Sequence, residues 1–567
     1  MTASTAQARD AGASAAGPSR FLPFAAAFAT AAAWAACFHP FRAPWLAWVA
    51  LVPWLLYDLG PGAAAGRRRT IAWVAARYVV HLASLWWTTT CAPPLAFLVP
   101  LLGVPFSWLE ARLMALGRDR LPAWIAYPAA VVLVELLRDH ALKGLTWSSL
   151  GYALDVWPEA LALAAVGRVH LLSWVVLAAN VLIAEAWRRR GVRAAPARRA
   201  AALGAILVAT HVAGALARPG DFEPGPRAAG LQPNIPQYDR NATQARRGPT
   251  AGLGESRRPG LYEQLRRHAD LLEAVDADAL DLLVFAETSF PAVREPTTLA
   301  DLLRMSPRPE ARPALRYGDV VLRRPGAKTV LGLARQVRAR PGSTLPDADG
   351  DGFHEWNTAW VLDGGAPTDV IYEKRELAPF GEFLPMGPGA PLYDTVAGLA
   401  RRALGHVPDM IPGARGVLFE APSAAGPRRG AINICFEAVF PRYFREAVRD
   451  GADFTVNISN DAWFLDSAEL DLVDQAIRWR AAECGRAVFR VSNSGISTLV
   501  GPDGARLAVV EGVDGDRKEV AGVLLGEIPV HRGLTPYARW GDAPWLAVAA
   551  AYAAALFVRR RRPDGAD

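Results

Sequence analysis

Apolar runs decide what this chain can fold into. Roughly the first 217 residues carry stretch after stretch of Ala, Leu, Val and Trp near the length a bilayer core demands, and another such stretch lies at 543–558. The long mixed segment between them cannot lie in a membrane. At 567 residues and 52% hydrophobic, the chain is too long for one ordinary domain and too apolar to be wholly soluble. The expected architecture is therefore a multi-pass α-helical membrane domain joined to a soluble domain.

The pattern predicts about seven spans at 21–39, 44–59, 70–88, 95–117, 122–137, 160–187 and 199–217, with the eighth at 543–558. The second and fifth are short and the sixth must tilt or protrude, so six spans is the competing count. Basic clusters fall at Arg67, Arg68 and Arg69, at Arg118 and Arg120, at Arg188 to Arg190 with Arg193, Arg198 and Arg199, and at Arg559 to Arg562. With the N-terminus inside, all of them land on the cytoplasmic side, as the positive-inside bias requires. The segment 225–530 then lies outside, which in a bacterium is the periplasm or outer surface. The same clusters account for most of the net charge of +7, so no nucleic-acid partner is expected. Residues 1–20, rich in Ala and Ser, are expected to be disordered, and the first apolar run serves as an anchor rather than a cleavable signal.

The soluble segment alternates short apolar runs with polar stretches of helical length. Strands are expected at AAGLQ, DLLVFAE, KTVLGLA, TAWVLDG, GAINICFE, DFTVNISN, AVFRVSN and STLVGPDG, and a helix from Glu469 to Glu483. That interleaving predicts an α/β sandwich. About 305–350, rich in Pro, Arg and Gly, reads as a long surface insertion.

Cys37, Cys91, Cys435 and Cys484 show no CxxC and no regular spacing, so a disulfide scaffold is not expected. Cys37 and Cys91 lie in or beside spans as small packing residues, and Cys484 sits on a predicted helix. Cys435 follows the apolar run AINI and precedes an acidic residue, which suits a nucleophile at a strand's end, while a buried packing thiol stays open on pattern alone. Asp347, Asp349 and Asp351 before Gly352 imitate a calcium loop, but the twelfth position is Thr358 where a bidentate Glu is needed; a solvated acidic turn is expected. The nine histidines are scattered without HExxH, and no GxSxG or phosphate-binding Gly-rich loop is present.

Longer motifs carry a resemblance. FHPFRAPWL follows the first span, ELLRDHALKGLTWSSLGY surrounds Glu135 and Trp147, QPNIPQ opens the soluble segment, and WNTAWVLD, YEKRELAPFGEFLP, ICFE, ISNDAWF, SNSGIS and GLTPYAR follow in order. In this set the chain resembles the bacterial apolipoprotein N-acyltransferases, membrane enzymes with a nitrilase-like domain. The resemblance implies an αββα sandwich at 225–530 and a catalytic triad of Glu287, Lys374 and Cys435. Glu382, Phe436 and Glu437 are implied in support: Glu382 to orient Lys374 or the attacking amine, the Phe436 N–H as an oxyanion donor, and Glu437 in the site or in a buried structural pair. It implies no metal and no organic cofactor. The implied reaction passes an acyl chain from a phospholipid through a Cys435 thioester to the α-amino group of a diacylglyceryl-modified N-terminal cysteine on an apolipoprotein. The place implied is the bacterial inner membrane with the catalytic domain outside.

The chain departs from that pattern in several places. Phe285-Ala286 stands where the family has Trp-Pro before the acid, and Leu465 where it has Gly. Leu472-Val473 replaces a Gln-His pair, Phe436 a tyrosine, and Tyr238 or a neighbour stands where a tryptophan is usual. Two other functions remain open from sequence: a membrane-tethered amidase or nitrilase whose acyl-enzyme is resolved by water, and a non-catalytic paralogue that binds lipoprotein or lipid.

Overall fold

The computed structural model describes residues 20–557 apart from 61–65, 91–92, 142–146, 192–194, 237–258, 277–279, 308–314, 322–325, 348–349 and 405. Residues 1–19 of the N-terminal segment lie outside the described residues, as do Cys91, Arg193, Tyr238, Asp349 and Arg559 to Arg562.

Up to residue 217 the described residues are mostly helical. Three stretches are long and apolar enough to cross a bilayer, Ala96–Arg118, Pro158–Arg188 and Ala197–Ala217, and Leu22–Ala36 and Ala543–Phe557 are apolar but shorter. Over 44–59 the chain makes a 3-10 turn, Pro44–Trp48, and a short helix, Val52–Asp58, instead of one long helix, because Pro44 and Pro53 suit only the opening turn of a helix. Arg67–Ser84 is less apolar because it carries charges inward. Arg77 pairs with Glu110 at 3.1 Å and lies 4.3 Å over the Trp34 ring, and Trp73 Nε1 donates to Glu110 at 3.0 Å. Buried charges paired this way are the arrangement expected of ionisable groups within a helical bundle. The long helix Pro158–Arg188 breaks at Gly167 and Arg168, and Arg168 is held by Asp139 at 3.2 Å and Asp542 at 2.9 Å. One guanidinium thus ties two helices to the segment that enters the last one.

The remaining chain forms two stacked sheets. The first contains β1 (Arg227–Gln232), β2 (Leu282–Phe285), β3 (Val293–Arg294), β4 (Lys328–Arg338), β5 (Phe353–Asp363) and β6 (Ala366–Glu373). The second is built from β7 (Leu418–Ala421), β8 (Arg428–Ile434), β9 (Phe454–Ser459), β10 (Ala487–Ser492), β11 (Thr498–Val500) and β12 (Arg506–Val509), after which β13 (Gly522–Glu527) returns to flank β1 in the first. The strand orders are β13-β1-β2-β4-β5-β6, with β3 also on β4, and β12-β11-β10-β9-β8-β7.

Strand periodicity explains the layering. Leu282 and Val284 point to the space between the sheets, where they join Ile432, Ile434, Val456, Ile458, Phe489 and Val491. Their neighbours Leu283 and Phe285 point outward onto Leu265 and Leu272 of the helix Pro259–Glu273. On the far side, Val488 and Val500 pack under Phe444, Ile477 and Ala481 of the helices Pro441–Arg449 and Ala468–Cys484. Helix, sheet, sheet and helix are the four layers of the expected αββα sandwich. A strand covered on both faces reads as a continuous apolar run, as LLVF does. The segment 305–350 is not one surface excursion: β4 crosses the middle of the first sheet, in register with β5 from Lys328 opposite Asp363 to Arg338 opposite Phe353. The Pro and Arg around it mask an apolar core of Val330, Leu331 and Leu333.

The two parts of the molecule meet along the helix Ala468–Cys484. Leu85 and Trp147 from the helical part pack among Phe440, Val473 and Ile477, and Trp87 stands edge-on to Trp147 and to Phe464, each at 5.2 Å. Arg478 fixes the contact with an ion pair to Asp155 at 3.0 Å.

Candidate active site

Parallel strands collect functional groups at their carboxyl ends, and three of the side chains singled out in the sequence lie just beyond strand ends. Glu287 lies two residues past β2, Cys435 directly past β8, and Lys374 directly past β6. Asn460 directly follows β9. The backbone is left-handed at Cys435 (φ 49°) and at Thr288 beside Glu287 (φ 49°), a conformation that costs a non-glycine residue about 1–2 kcal/mol and recurs where a side chain must be aimed. The loop bearing Glu287 also needs Gly332: a Cβ there would stand 2.4 Å from the Ala286 carbonyl oxygen and 2.8 Å from the Glu287 Cα.

Lys374 is 1% exposed and sits between two carboxylates. Its Nζ lies 3.3 Å from Glu287 Oε1 and 2.8 and 2.9 Å from the two oxygens of Glu382. Asn357, from β5, faces the same pair: Nδ2 donates to Glu287 Oε1 at 2.6 Å and to Glu382 Oε1 at 2.7 Å. The Asn460 N–H donates to Glu287 Oε2 at 2.8 Å, and the Ala378 N–H to Glu382 Oε2 at 2.7 Å. Burial alone would lower the lysine's proton affinity, but the Glu287 and Glu382 carboxylates, joined by the Cys435 sulfur once it is ionised, outweigh it and hold Lys374 well above the ordinary lysine value. It is an ammonium at any physiological pH.

The partly exposed Cys435 is pushed in the opposite direction. Desolvation and then the Glu287 charge raise its thiol well above the ordinary value, with Lys374 opposing them. At rest the sulfur therefore keeps its proton beside a carboxylate able to take it. Cys484, buried on its helix, is pushed up to about 12 by burial, and Cys37 gives its S–H to the Ala33 carbonyl at 3.2 Å, so neither shares this environment.

Glu437 is fully buried and braces the turn after the nucleophile. Oε2 accepts from the Ile434 N–H and the Tyr372 hydroxyl, each at 2.7 Å, while Oε1 accepts from the N–H groups of Arg375 at 2.7 Å and Glu376 at 3.1 Å. It thereby ties the Cys435 turn to the chain just past Lys374. Phe436 continues the 3-10 turn Cys435–Val439, its ring edge-on to Phe440 at 5.1 Å. Asp461, paired with Arg490 and accepting from the hydroxyls of Ser459 at 2.6 Å and Ser492 at 2.9 Å, anchors the loop that carries Asn460.

Sequence reasoning did not single out Asn357 or the Asn460 N–H. A neutral amide in the middle of a strand carries no motif-level signal of its own, although both residues stand inside quoted motifs. The acidic turn is closed by its own backbone, since the N–H groups of Asp351 and Gly352 each donate to Asp347 at 3.1 Å. Among the described residues no group of three or more His, Cys, Asp or Glu is placed to hold a metal.

Residues 30–182 match the apolipoprotein N-acyltransferase N-terminal domain, and residues 256–530 match the carbon-nitrogen hydrolase family. The apolipoprotein N-acyltransferase of Geobacter metallireducens is 28% identical over 91% of each chain, and that of Methylococcus capsulatus is 28% identical over 77% of this chain and 74% of the relative. Along both matched regions the chain is similar to the apolipoprotein N-acyltransferases. Its helical part holds three stretches long and apolar enough to cross a membrane, and its second domain has the carbon-nitrogen hydrolase fold. A solved amidase from Nesterenkonia sp. is similar over 58% of this chain and 98% of its own, at 18% identity and a TM-score of 0.31. The family's departures at Leu472 and Val473 have distinct surroundings: Leu472 lines a small cavity with Phe38, His39 and Arg42, and Val473 is buried with Trp147 and Ile477.

Proposed function

We propose that the protein moves a fatty acyl chain from a membrane phospholipid to the α-amino group of the diacylglyceryl-modified N-terminal cysteine of apolipoproteins, through a thioester on Cys435. The observation that carries this reading is a buried lysine held between two carboxylates beside the Cys435 turn, in a domain whose helix Ala468–Cys484 packs on an apolar helical bundle.

In the first step Glu287 takes the thiol proton as sulfur attacks the ester carbonyl. The oxyanion develops against the Lys374 ammonium, with the Phe436 N–H as a second donor; one such donor is worth roughly 3–4 kcal/mol. Collapse of the intermediate breaks the ester C–O bond, and Glu287 returns the proton to the departing lysophospholipid alkoxide. In the second step the amine attacks the thioester and Glu287 accepts its proton. The C–S bond then breaks, and the proton goes back to Cys435. Glu382, whose oxygens accept from Lys374, Asn357 and the Ala378 N–H, holds the lysine in place.

Both substrates are lipid-anchored, so the reaction calls for a catalytic domain seated at the bilayer on the side where lipoproteins mature. The seven-plus-one reading of the hydropathy, with its Arg clusters kept cytoplasmic, supports a place on the periplasmic face of the inner membrane. Complementation tests the function. The wild-type chain should restore triacylated lipoproteins in cells depleted of their own N-acyltransferase, and Cys435→Ala should not. Wild type that hydrolyses a small amide but leaves lipoproteins diacylated would favour an amidase, and binding without turnover a non-catalytic paralogue.

A further inference from the structure

Four groups in the site close a ring of hydrogen bonds. From Glu287 Oε1 the path runs to Lys374 Nζ at 3.3 Å, on to Glu382 Oε1 at 2.9 Å, to Asn357 Nδ2 at 2.7 Å, and back to Glu287 Oε1 at 2.6 Å. A lysine has three N–H donors and could satisfy both carboxylates by itself. The ring instead spends both N–H bonds of one neutral amide on the same two oxygens. Asn357 is 2% exposed, and the Lys374 N–H donates to its backbone carbonyl at 2.8 Å, so the β5–β6 pairing fixes amide and ammonium side by side.

We propose that Asn357 is a positioning residue of this site, which holds Glu287 and Glu382 aimed by donating to both at once without adding a charge. This rests on the acyl-transfer reading of Glu287, Lys374 and Cys435 given above. The physical ground is that two carboxylates sharing one ammonium repel each other, and a donor to the charged form relieves that repulsion without removing the charge a base needs. A second lysine at this place would quench the base, and an apolar side chain would let the two carboxylates compete for a proton.

The test is the pH dependence of acylation by a p-nitrophenyl acyl ester. This probe requires the thiol, base and ammonium but no lipid or lipoprotein. Sulfur attacks the ester carbonyl, the thiol proton goes to Glu287, a C–S bond replaces the C–O bond, and p-nitrophenol leaves, followed where its two protonation states absorb equally. In Asn357→Ala a carboxylate that has lost a donor binds its proton more tightly, so the acid limb of the rate profile should move up by about one pH unit. Most of the rate should return on the alkaline plateau, with KM little changed. The isosteric Asn357→Asp keeps the shape, loses both donors and adds a charge, so its limb should move at least as far; it decides alone if the alanine variant does not fold. Loss of rate at every pH with the limb unmoved, in either variant, would show a merely structural role and overturn the proposal. Because the probe is a soluble ester, wild type that acylates normally but never modifies lipoproteins would refute the lipoprotein reading and leave this test intact.

Discussion

Neutralising Glu382 probes the device that holds Lys374. The lysine is buried beyond reach of water and lies 2.8 Å from Glu382, its nearest carboxylate, and 3.3 Å from Glu287. Glu382→Gln preserves the shape and one acceptor oxygen but removes a charge, and the charge-assisted part of such a bond is worth about 1.5–3 kcal/mol. Carried into the barrier, that predicts a fall of roughly 10- to 150-fold in the rate of Cys435 acylation. The sign of the pH effect follows from the opposing forces on the ammonium. Burial pushes its proton off, while Glu287, Glu382 and, once ionised, the Cys435 sulfur hold it on and keep Lys374 well above the usual lysine value. Removing one of the three lets burial weigh more, so the ammonium is lost at lower pH and an alkaline limb appears where wild type is still flat. The assay is the pH-dependent accumulation of acyl-Cys435, read by intact-protein mass. Unchanged rate and unchanged alkaline behaviour in Glu382→Gln would refute the view that this carboxylate holds the lysine.

Other expectations follow from the same geometry. Because burial and the Glu287 charge raise the Cys435 thiol, iodoacetamide should alkylate it slowly at neutral pH and about tenfold faster per pH unit on the way up. Glu287→Gln should quicken alkylation while slowing acylation by an ester, and a neutral-pH plateau in wild type would contradict the resting thiol. Leu472→Gln with Val473→His should alter preference among phospholipid head groups more than Cys435 reactivity, and identical donor profiles would reject that. An engineered cysteine replacing the exposed Ser343 should react with an impermeant thiol reagent in spheroplasts, while one replacing Arg190 stays protected; the reverse pattern would sink the seven-plus-one topology.

The sandwich was legible wherever burial made the sequence apolar. LLVF, AINI and the run through Phe454–Ser459 are covered on both faces and stand out as strands, and the helix expected from Glu469 to Glu483 spans Ala468–Cys484. The less visible strands are edges. β6 is largely half-buried or exposed, so APTDVIYE shows little apolar pattern, and β7 and β12 are four-residue edge strands whose register only the neighbouring strand can supply. Glu287, Lys374, Cys435 and Glu382 could be named beforehand because the motifs of the resemblance mark them, and the structure sets Lys374 between Glu287 and Glu382. Asn357 could not, since its position depends on β4, β5 and β6 pairing side by side, a property of the sheet rather than of any window of sequence. In the helical part the difficulty was reversed. Hydropathy finds apolar runs, but Arg77 and Glu110 satisfy each other inside the bundle, so Arg67–Ser84 is more polar than its surroundings suggest.

The most direct measurement of the central claim is the chemical identity of the intermediate. Purified protein incubated with phospholipid alone should acquire a single acyl chain on Cys435, removable by neutral hydroxylamine as a thioester is, and absent from Cys435→Ala. Adding a diacylglyceryl lipopeptide with a free α-amino group should then discharge the adduct into amide-linked product. An acyl group on Cys484, or discharge to free fatty acid at the same rate with and without the lipopeptide, would contradict the account.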